Sequence, residues 1–252
     1  MKFFDSTRPL VFAHRGGMTL GPENMLPTFD AGMKAGADGL ELDVHLSSDG
    51  VVVVHHDGTL ERTTRGAGPI AAKTAAELSR LDVPTLREVL SRYPEARIII
   101  EMKVDAPEMG DAVAREVREA NAVDRVCAAG YGAGALVAAR RALPEMATSA
   151  HLAEVQRALR RTWMCWPLRS CEWQGYQVPE WVGRLRVVSP RFIRYAHLAG
   201  LKVQVWTVDE ESDMRRLLDW GVDALISNRP ALAVSVRDSW VSGAQSEAAL
   251  RS

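Results

Sequence analysis

Eight short β-rich runs alternate with longer helical patterns along this chain and predict an α/β fold with one parallel sheet covered by helices. Three observations carry the expectation. The alternation is strict from end to end, the unit repeats eight times in 252 residues, and three of the apolar runs finish in charged side chains. Eight repeats in that length fit a closed (β/α)8 TIM barrel better than an open doubly wound sheet. Charge at the ends of barrel strands also marks the rim on which such a fold carries its chemistry. With no Pro/Ser-rich linker, residues 1–252 are expected to form a single domain with a core at about 9–235.

Taken in order, the strands are expected at Val11–His14, Gly39–Val44, Arg97–Glu101, Arg125–Ala128, Ala147–Ala150, Leu185–Ser189, Lys202–Thr207 and Ala224–Ser227. The helices fall between them, around Asn24–Gly36, Thr85–Arg92, Pro107–Asn121, Gly134–Leu143, Leu152–Arg161, Arg191–Ala199 and Glu210–Trp220, with a last one after Pro230. Thr28-Phe-Asp-Ala-Gly-Met-Lys34 sets apolar groups at helical spacing, and Gly36 stands where that helix should stop. Glu211–Leu218 repeats the scheme with Gly221 just past its end.

Two segments break the rhythm. Asp49-Gly50 separates Leu46 from Val51–Val54, which predicts a tight turn and a small extra strand after the second barrel strand. Trp163–Trp181 holds four tryptophans where a plain connection would do, and reads as a Trp-rich loop before the sixth strand. It could serve as lid, substrate wall, membrane-touching loop or packed cover. The tail from Ser242 to Ser252 is small and polar and is expected to fray.

Composition narrows the function classes. A net charge of −1 gives no long-range attraction to nucleic acid. No stretch approaches the roughly 20 apolar residues of a membrane span. Residues 1–15 carry Lys2, Asp5, Arg8 and His14 and lack the apolar segment of a secretory signal. Cys127, Cys165 and Cys171 form no metal-ligand pattern and read as reduced thiols, so a cytoplasmic location is expected.

The chemistry concentrates at three strand ends. His14 and Arg15 close the run Leu10-Val-Phe-Ala13 and lead into Gly16-Gly17. Glu41 and Asp43 stand two apart in a strand and therefore point to one face. Burying both is unfavourable without a cation between them. A hard divalent ion, Mg²⁺ or Ca²⁺, would supply it, with Glu101 as a third oxygen ligand. The alternative is a metal-free cluster held by Arg15 and Lys103. Lys103 repeats the two-residue spacing from Glu101 and, beside Arg15, makes a dibasic clamp for a phosphate. His14 and His56 could act as general base and general acid. His45 is expected in a solvated or supporting place, His55 in a structural one, and His151 and His197 as ordinary histidines. Trp206 shares a face with Gln204 and is a candidate substrate wall, the alternative being core packing.

These residues lie in an ordered series of motifs: His14-Arg-Gly-Gly17, Pro22-Glu-Asn24, Gly36-Ala-Asp38, Glu41-Leu-Asp43, His56-Asp-Gly-Thr-Leu-Glu-Arg-Thr-Thr64, Pro84-Thr-Leu86, Glu101-Met-Lys103, Val205-Trp-Thr207 and Gly221–Pro230. From about residue 10 to 230 the series resembles the glycerophosphodiester phosphodiesterase family. The resemblance implies a (β/α)8 barrel that hydrolyses glycerophosphodiesters to sn-glycerol 3-phosphate and an alcohol. It implies a divalent metal on Glu41, Asp43 and Glu101, an acid/base pair in His14 and His56, and phosphate contacts from Arg15 and Lys103. It further implies attack by the substrate's own glycerol 2-hydroxyl, giving a cyclic phosphate that water opens. Met25 and Gly130-Tyr131 depart from the family's usual residues, and Thr59–Thr85 is short. Two alternatives use the same rim: phospholipase D-like cleavage of lysophospholipids, with the Trp163–Trp181 segment accepting the acyl chain, and a non-catalytic barrel that binds phosphorylated ligands.

Overall fold

The computed structural model describes residues 3–168 and 171–251. Its first strand, β1 (Leu10–His14), runs parallel to β2 (Gly39–Leu46) on one side. Beyond β2 follow β4 (Arg97–Met102), β5 (Val126–Ala129) and β6 (Ala147–Thr148), after the short β3 (Val52–Val54) in chain order. On its other side β1 pairs with β11 (Ala224–Ser227), Leu10 opposite Ala224 and Ala13 opposite Ser227. That first-to-last pairing distinguishes a barrel from an open sheet. β10 (Lys202–Trp206) and β7 (Gly175–Pro179) complete the eight parallel strands. The seam between β6 and β7 is thin: one bridge from Ser149 to Gly175, with Ala150 N–H donating to the Gly175 carbonyl at 2.9 Å. The barrel is nearly closed.

Period-two alternation sorts the side chains. Leu10, Phe12, Ile99, Cys127, Ala129, Ala224 and Ile226 fill the interior, with Phe3 beneath them. Leu40, Leu42, Val44, Ile98, Ile100 and Met102 face outward against α1 (Leu26–Lys34), α3 (Leu86–Arg92), α4 (Pro107–Glu119) and α5 (Ala133–Ala142). Val203, Val205 and Leu225 do the same toward α6 (Leu152–Trp163), α7 (Pro190–Leu198), α8 (Glu211–Trp220) and α9 (Pro230–Arg251). Gly221 ends α8 at φ +89°, a left-handed cap that glycine takes without strain.

β3 lies antiparallel to β2, Val44 opposite Val54, after the turn at Asp49-Gly50. Val53, Leu60, Ile70 and Leu78, the last on the short helix α2 (Ala75–Ser79), form a small satellite core. It pins the loop that starts at His55.

The structure corrects two expectations. Leu185–Ser189 is not the sixth barrel strand. Leu185–Arg186 (β9) instead pairs antiparallel with Trp181–Val182 (β8) in an exposed hairpin. The sixth strand is β7, inside the stretch expected to be a Trp-rich loop, of which residues 169 and 170 lie outside the described residues. Its register with β10, Gly175 opposite Lys202 through Pro179 opposite Trp206, decides the slot. Tyr176 and Val178 face the helices while Gln177 points inward to donate to Gln204 Oε1 at 2.8 Å. The tail expected to fray after Ser242 continues as α9 to Arg251, and Ser252 lies outside the described residues.

Candidate active site

The C-terminal ends of β1, β2 and β4 bring the predicted charges together. β1 delivers His14 to the rim, and the chain then turns through Arg15 at φ +50° and Gly16 at φ +91°. A Cβ on Gly16 would sit 2.7 Å from the Phe29 ring, so the turn and the close approach both require glycine. The turn aims the Arg15 N–H at Glu41 Oε2, 3.1 Å away. Asn24, also left-handed at φ +58°, donates its amide to Asp43 Oδ2 at 2.8 Å. Non-glycine residues in this region are uncommon and carry strain, which is characteristic of sites whose geometry matters.

Glu41 and Asp43 occupy the inner face of β2, and Asp43 stands opposite Glu101 of β4 in the parallel register. Oxygen atoms of the three carboxylates lie within 4.8 Å of one another. Burial, with Asp43 and Glu101 beside it, holds the Glu41 carboxyl well above the usual range. Burial also pushes Asp43 up, but Lys103 and Arg15 more than offset it, and that carboxyl lies below its ordinary range. Lys103 Nζ reaches Asp43 Oδ1 at 2.9 Å and Glu101 Oε1 at 3.0 Å. Burial opposes the Lys103 charge, yet the two acids raise its pKa. Arg15 Nε lies 3.2 Å from Asp43 Oδ2, and its terminal nitrogen 3.3 Å from Glu23.

Two features test whether the donor set suits a divalent cation. Buried Asp43 Oδ1, despite the nearby lysine, has no well-angled hydrogen bond. Glu41 cannot readily ionise beside two other acids unless more positive charge is added. Three converging carboxylates, two of them buried, fit a hard, oxygen-seeking ion.

His14 is held from behind. Asp209 Oδ2 accepts from Asn228 Nδ2 at 2.7 Å, which fixes the orientation of that amide. Asn228 Oδ1 therefore accepts from His14 Nδ1 at 2.7 Å. The ring's proton sits on Nδ1 and Nε2 keeps its lone pair, 3.7 Å from Glu41 Oε2. Burial, more than the opposing hydrogen bond to Asn228, lowers the His14 pKa from its ordinary value. His56 is the second residue of the loop after β3, with Nδ1 2.6 Å from Asp57 Oδ1. Arg62 clamps Asp57 through Nε at 2.6 Å and reaches Glu23 through Nη1 at 3.0 Å. His45 is buried rather than solvated, and its Nε2 lies 3.0 Å from the His56 carbonyl. His55, also buried, lies 2.8 Å from Thr63 Oγ1, the structural place expected for it.

Beside this cluster opens a cavity of about 400 Å³, which His14, Glu41, Glu101 and Trp206 help to line. Tyr131 meets the Trp206 ring edge-on at 6.2 Å. The tryptophans of the Trp163–Trp181 segment do not line it; among the described residues of that stretch, Gln177, Val178 and Pro179 do. Sequence reasoning gave no role to Asn24, Glu23, Asp57, Arg62, Asp209 or Asn228. Asp209 and Asn228 follow the ends of β10 and β11, and that position was the available signal.

Residues 14–232 match the model of the glycerophosphoryl diester phosphodiesterase family. A glycerophosphodiester phosphodiesterase of Caldanaerobacter subterraneus is 27% identical over 247 residues, covering 91% of this chain and 98% of the relative. Among solved structures, a phosphodiesterase of Oleispira antarctica in complex with its product sn-glycerol-3-phosphate superposes with TM-score 0.73 at 27% identity, covering 92% of this chain and 97% of that one. The glycerophosphodiester phosphodiesterase of Agrobacterium tumefaciens gives TM-score 0.74 at 26% identity, with 91% and 99% covered. With a family match across most of its length and a barrel rim of the expected chemistry, this chain belongs to the glycerophosphoryl diester phosphodiesterase family and is a phosphoric diester hydrolase.

Proposed function

We propose that the enzyme cleaves glycerophosphodiesters to sn-glycerol 3-phosphate and an alcohol, with His14 and His56 transferring protons. In this reading Arg15 and Lys103 contact the phosphate, Glu41, Asp43 and Glu101 hold Mg²⁺ or Ca²⁺, and Trp206 packs against the substrate. The observation that carries it is the convergence of three carboxylates within 4.8 Å beside a histidine whose Nε2 is left as an acceptor. The product bound to the Oleispira relative supports the choice of substrate.

A divalent cation in the acid cluster would neutralise phosphate charge and stabilise the charge that builds up as the diester is attacked. His14 Nε2 takes the proton of the glycerol 2-hydroxyl, whose oxygen then attacks phosphorus. His56, oriented by Asp57, gives a proton to the departing alcohol oxygen as its bond to phosphorus breaks. Water then opens the cyclic phosphate with the roles reversed: His56 takes the water proton and His14 returns one to the 2-oxygen. Both rings end as they began. Lysophospholipids, which keep a free 2-hydroxyl when acylated only at position 1, can follow the same course.

All three cysteines are thiols, which supports a reducing compartment such as the cytoplasm. The whole of 1–252 is read as one domain. Incubation with glycerophosphocholine and either metal tests the reading: release of glycerol 3-phosphate is expected, and binding without release would instead mark a non-catalytic barrel.

A further inference from the structure

The tryptophans at the end of α6 take no part in the catalytic cavity, yet they stand open to solvent. Residues 163–167, Trp-Met-Cys-Trp-Pro, are exposed one after another, Trp163 and Trp166 at 54% each. The β8–β9 hairpin is exposed throughout 181–186 and adds Trp181 at 46%. Large apolar groups clustered in water mark an interaction surface. The charge around them is one-sided. From Leu152 to Arg194 the chain holds eight arginines against three glutamates, with no lysine or aspartate, in a molecule of net charge −1. Two of those glutamates are taken by arginines from outside the stretch, Glu154 by Arg140 at 2.9 Å and Glu180 by Arg216 at 2.6 Å. Arg160, Arg184, Arg191 and Arg194 are exposed, and among the described residues none of them has a carboxylate partner. Two further arginines lie against the tryptophans themselves. The Arg161 guanidinium is 5.9 Å from the centre of the Trp166 ring, and that of Arg186 is 4.4 Å from the centre of Trp181.

The two exposed runs border one side of the barrel. Arg191 stands in the first turn of α7, shortly after the hairpin, and its terminal nitrogen lies 4.0 Å from the sulfur of Cys165, between Trp163 and Trp166 in the chain. We propose that this side of the molecule docks onto an anionic lipid bilayer, with Trp163, Met164, Trp166 and Trp181 entering the headgroup layer and the unpaired arginines meeting lipid phosphates. Tryptophan suits that depth because its ring is apolar and its N–H is polar. Clustered arginines are drawn to a negatively charged leaflet. A second copy of this chain fits the face poorly, since a two-fold contact would set arginines against arginines. Nucleic acid would answer the charge but leave Met164 and Val182 wet. The contact is peripheral, because among the described residues no helix is long and apolar enough to cross a membrane. Docking of this kind is independent of which diester the catalytic rim cleaves.

Co-sedimentation of the full chain with vesicles tests it, comparing phosphatidylcholine alone with equal parts phosphatidylcholine and phosphatidylglycerol. Partitioning onto the anionic vesicles is expected to exceed that onto the neutral ones by roughly 10²-fold, at about fivefold for each arginine that reaches the surface. The preference should collapse between about 0.1 and 1 M salt, as the screening length shrinks from about 10 to 3 Å. Arg160→Glu combined with Arg184→Glu should weaken anionic binding roughly 20-fold or more. Trp163→Ala combined with Trp166→Ala should weaken it roughly tenfold. All four positions are exposed, and circular dichroism confirms that the variants fold. Equal partitioning onto both kinds of vesicle, or binding unchanged in both folded variants, would overturn the proposal. A dimer in sedimentation velocity that the tryptophan variant breaks would overturn it in favour of a second copy. Binding to a single-stranded oligonucleotide that is tighter than to anionic vesicles, and lost in the arginine variant, would overturn it in favour of nucleic acid.

Discussion

His14 gets its protonation pattern from a neighbour 214 positions away in the chain. Asp209 turns the Asn228 amide, the amide sets the tautomer, and the tautomer leaves Nε2 as the acceptor. Asp209→Ala would free the amide to present its NH₂ group to the ring. A fall in kcat of roughly tenfold with little change in KM is expected, because orientation and not substrate contact is lost; an equal loss in KM would count against the relay. His14→Ala and His56→Ala are each expected to lower kcat by roughly 10² or more with circular dichroism unchanged. A variant that keeps full rate removes that histidine from the mechanism. At this scale the sequence was legible wherever a residue type is rare and strand alternation fixes its face, as for Glu41, Asp43, Glu101 and Lys103. Asn24 and Asp209 were not legible. Each acts by orienting another side chain, and an Asn or Asp in a loop is ordinarily a turn former.

Among the elements, the loop after β3 depends on Arg62, which joins Asp57 beside His56 to Glu23 near the start of α1. Burial raises the Glu23 carboxyl, but Arg62 and Arg15 bring it below its ordinary value of 4.5. Asp57 is lowered likewise, chiefly by its hydrogen bond from Arg62. Since both folded-state values are depressed, the stabilisation is fully present above the unfolded values and is lost as pH falls through the folded ones. Arg62→Ala should therefore cost roughly 1–2 kcal/mol near neutral pH, chiefly from buried Glu23 losing a partner. The gap to wild type should narrow as pH drops below about 4. A gap independent of pH in urea titrations would show that the ion pairs are not its source. The barrel strands were easiest to find where outward apolar residues alternate with inward ones, and β7 shows why one was missed. Gly175-Tyr-Gln-Val-Pro179 carries glycine, proline and an inward glutamine, whereas Leu185–Ser189 holds two β-branched valines. Propensity favoured the second, but the open hydrogen-bonding edge of β10 is filled by the first.

Across the molecule, the barrel gathers side chains from distant parts of the chain onto one rim, where three carboxylates close enough to share a cation meet. The eight-fold alternation made the architecture readable, since each helix has a strand to cover. The cavity was not readable, because Leu185, which helps to line it from the β8–β9 hairpin, was expected in a barrel strand. The central claim is that Glu41, Asp43 and Glu101 together hold one divalent ion on which hydrolysis depends. Calorimetric titration of chelator-stripped protein with Mg²⁺ and Ca²⁺, alongside glycerol 3-phosphate release, tests it most directly in wild type and in Glu101→Gln. The expected result is a single site in wild type for at least one of the ions, with binding and turnover weakened together in the variant. Full turnover in chelator, or undiminished metal binding by Glu101→Gln, would contradict it.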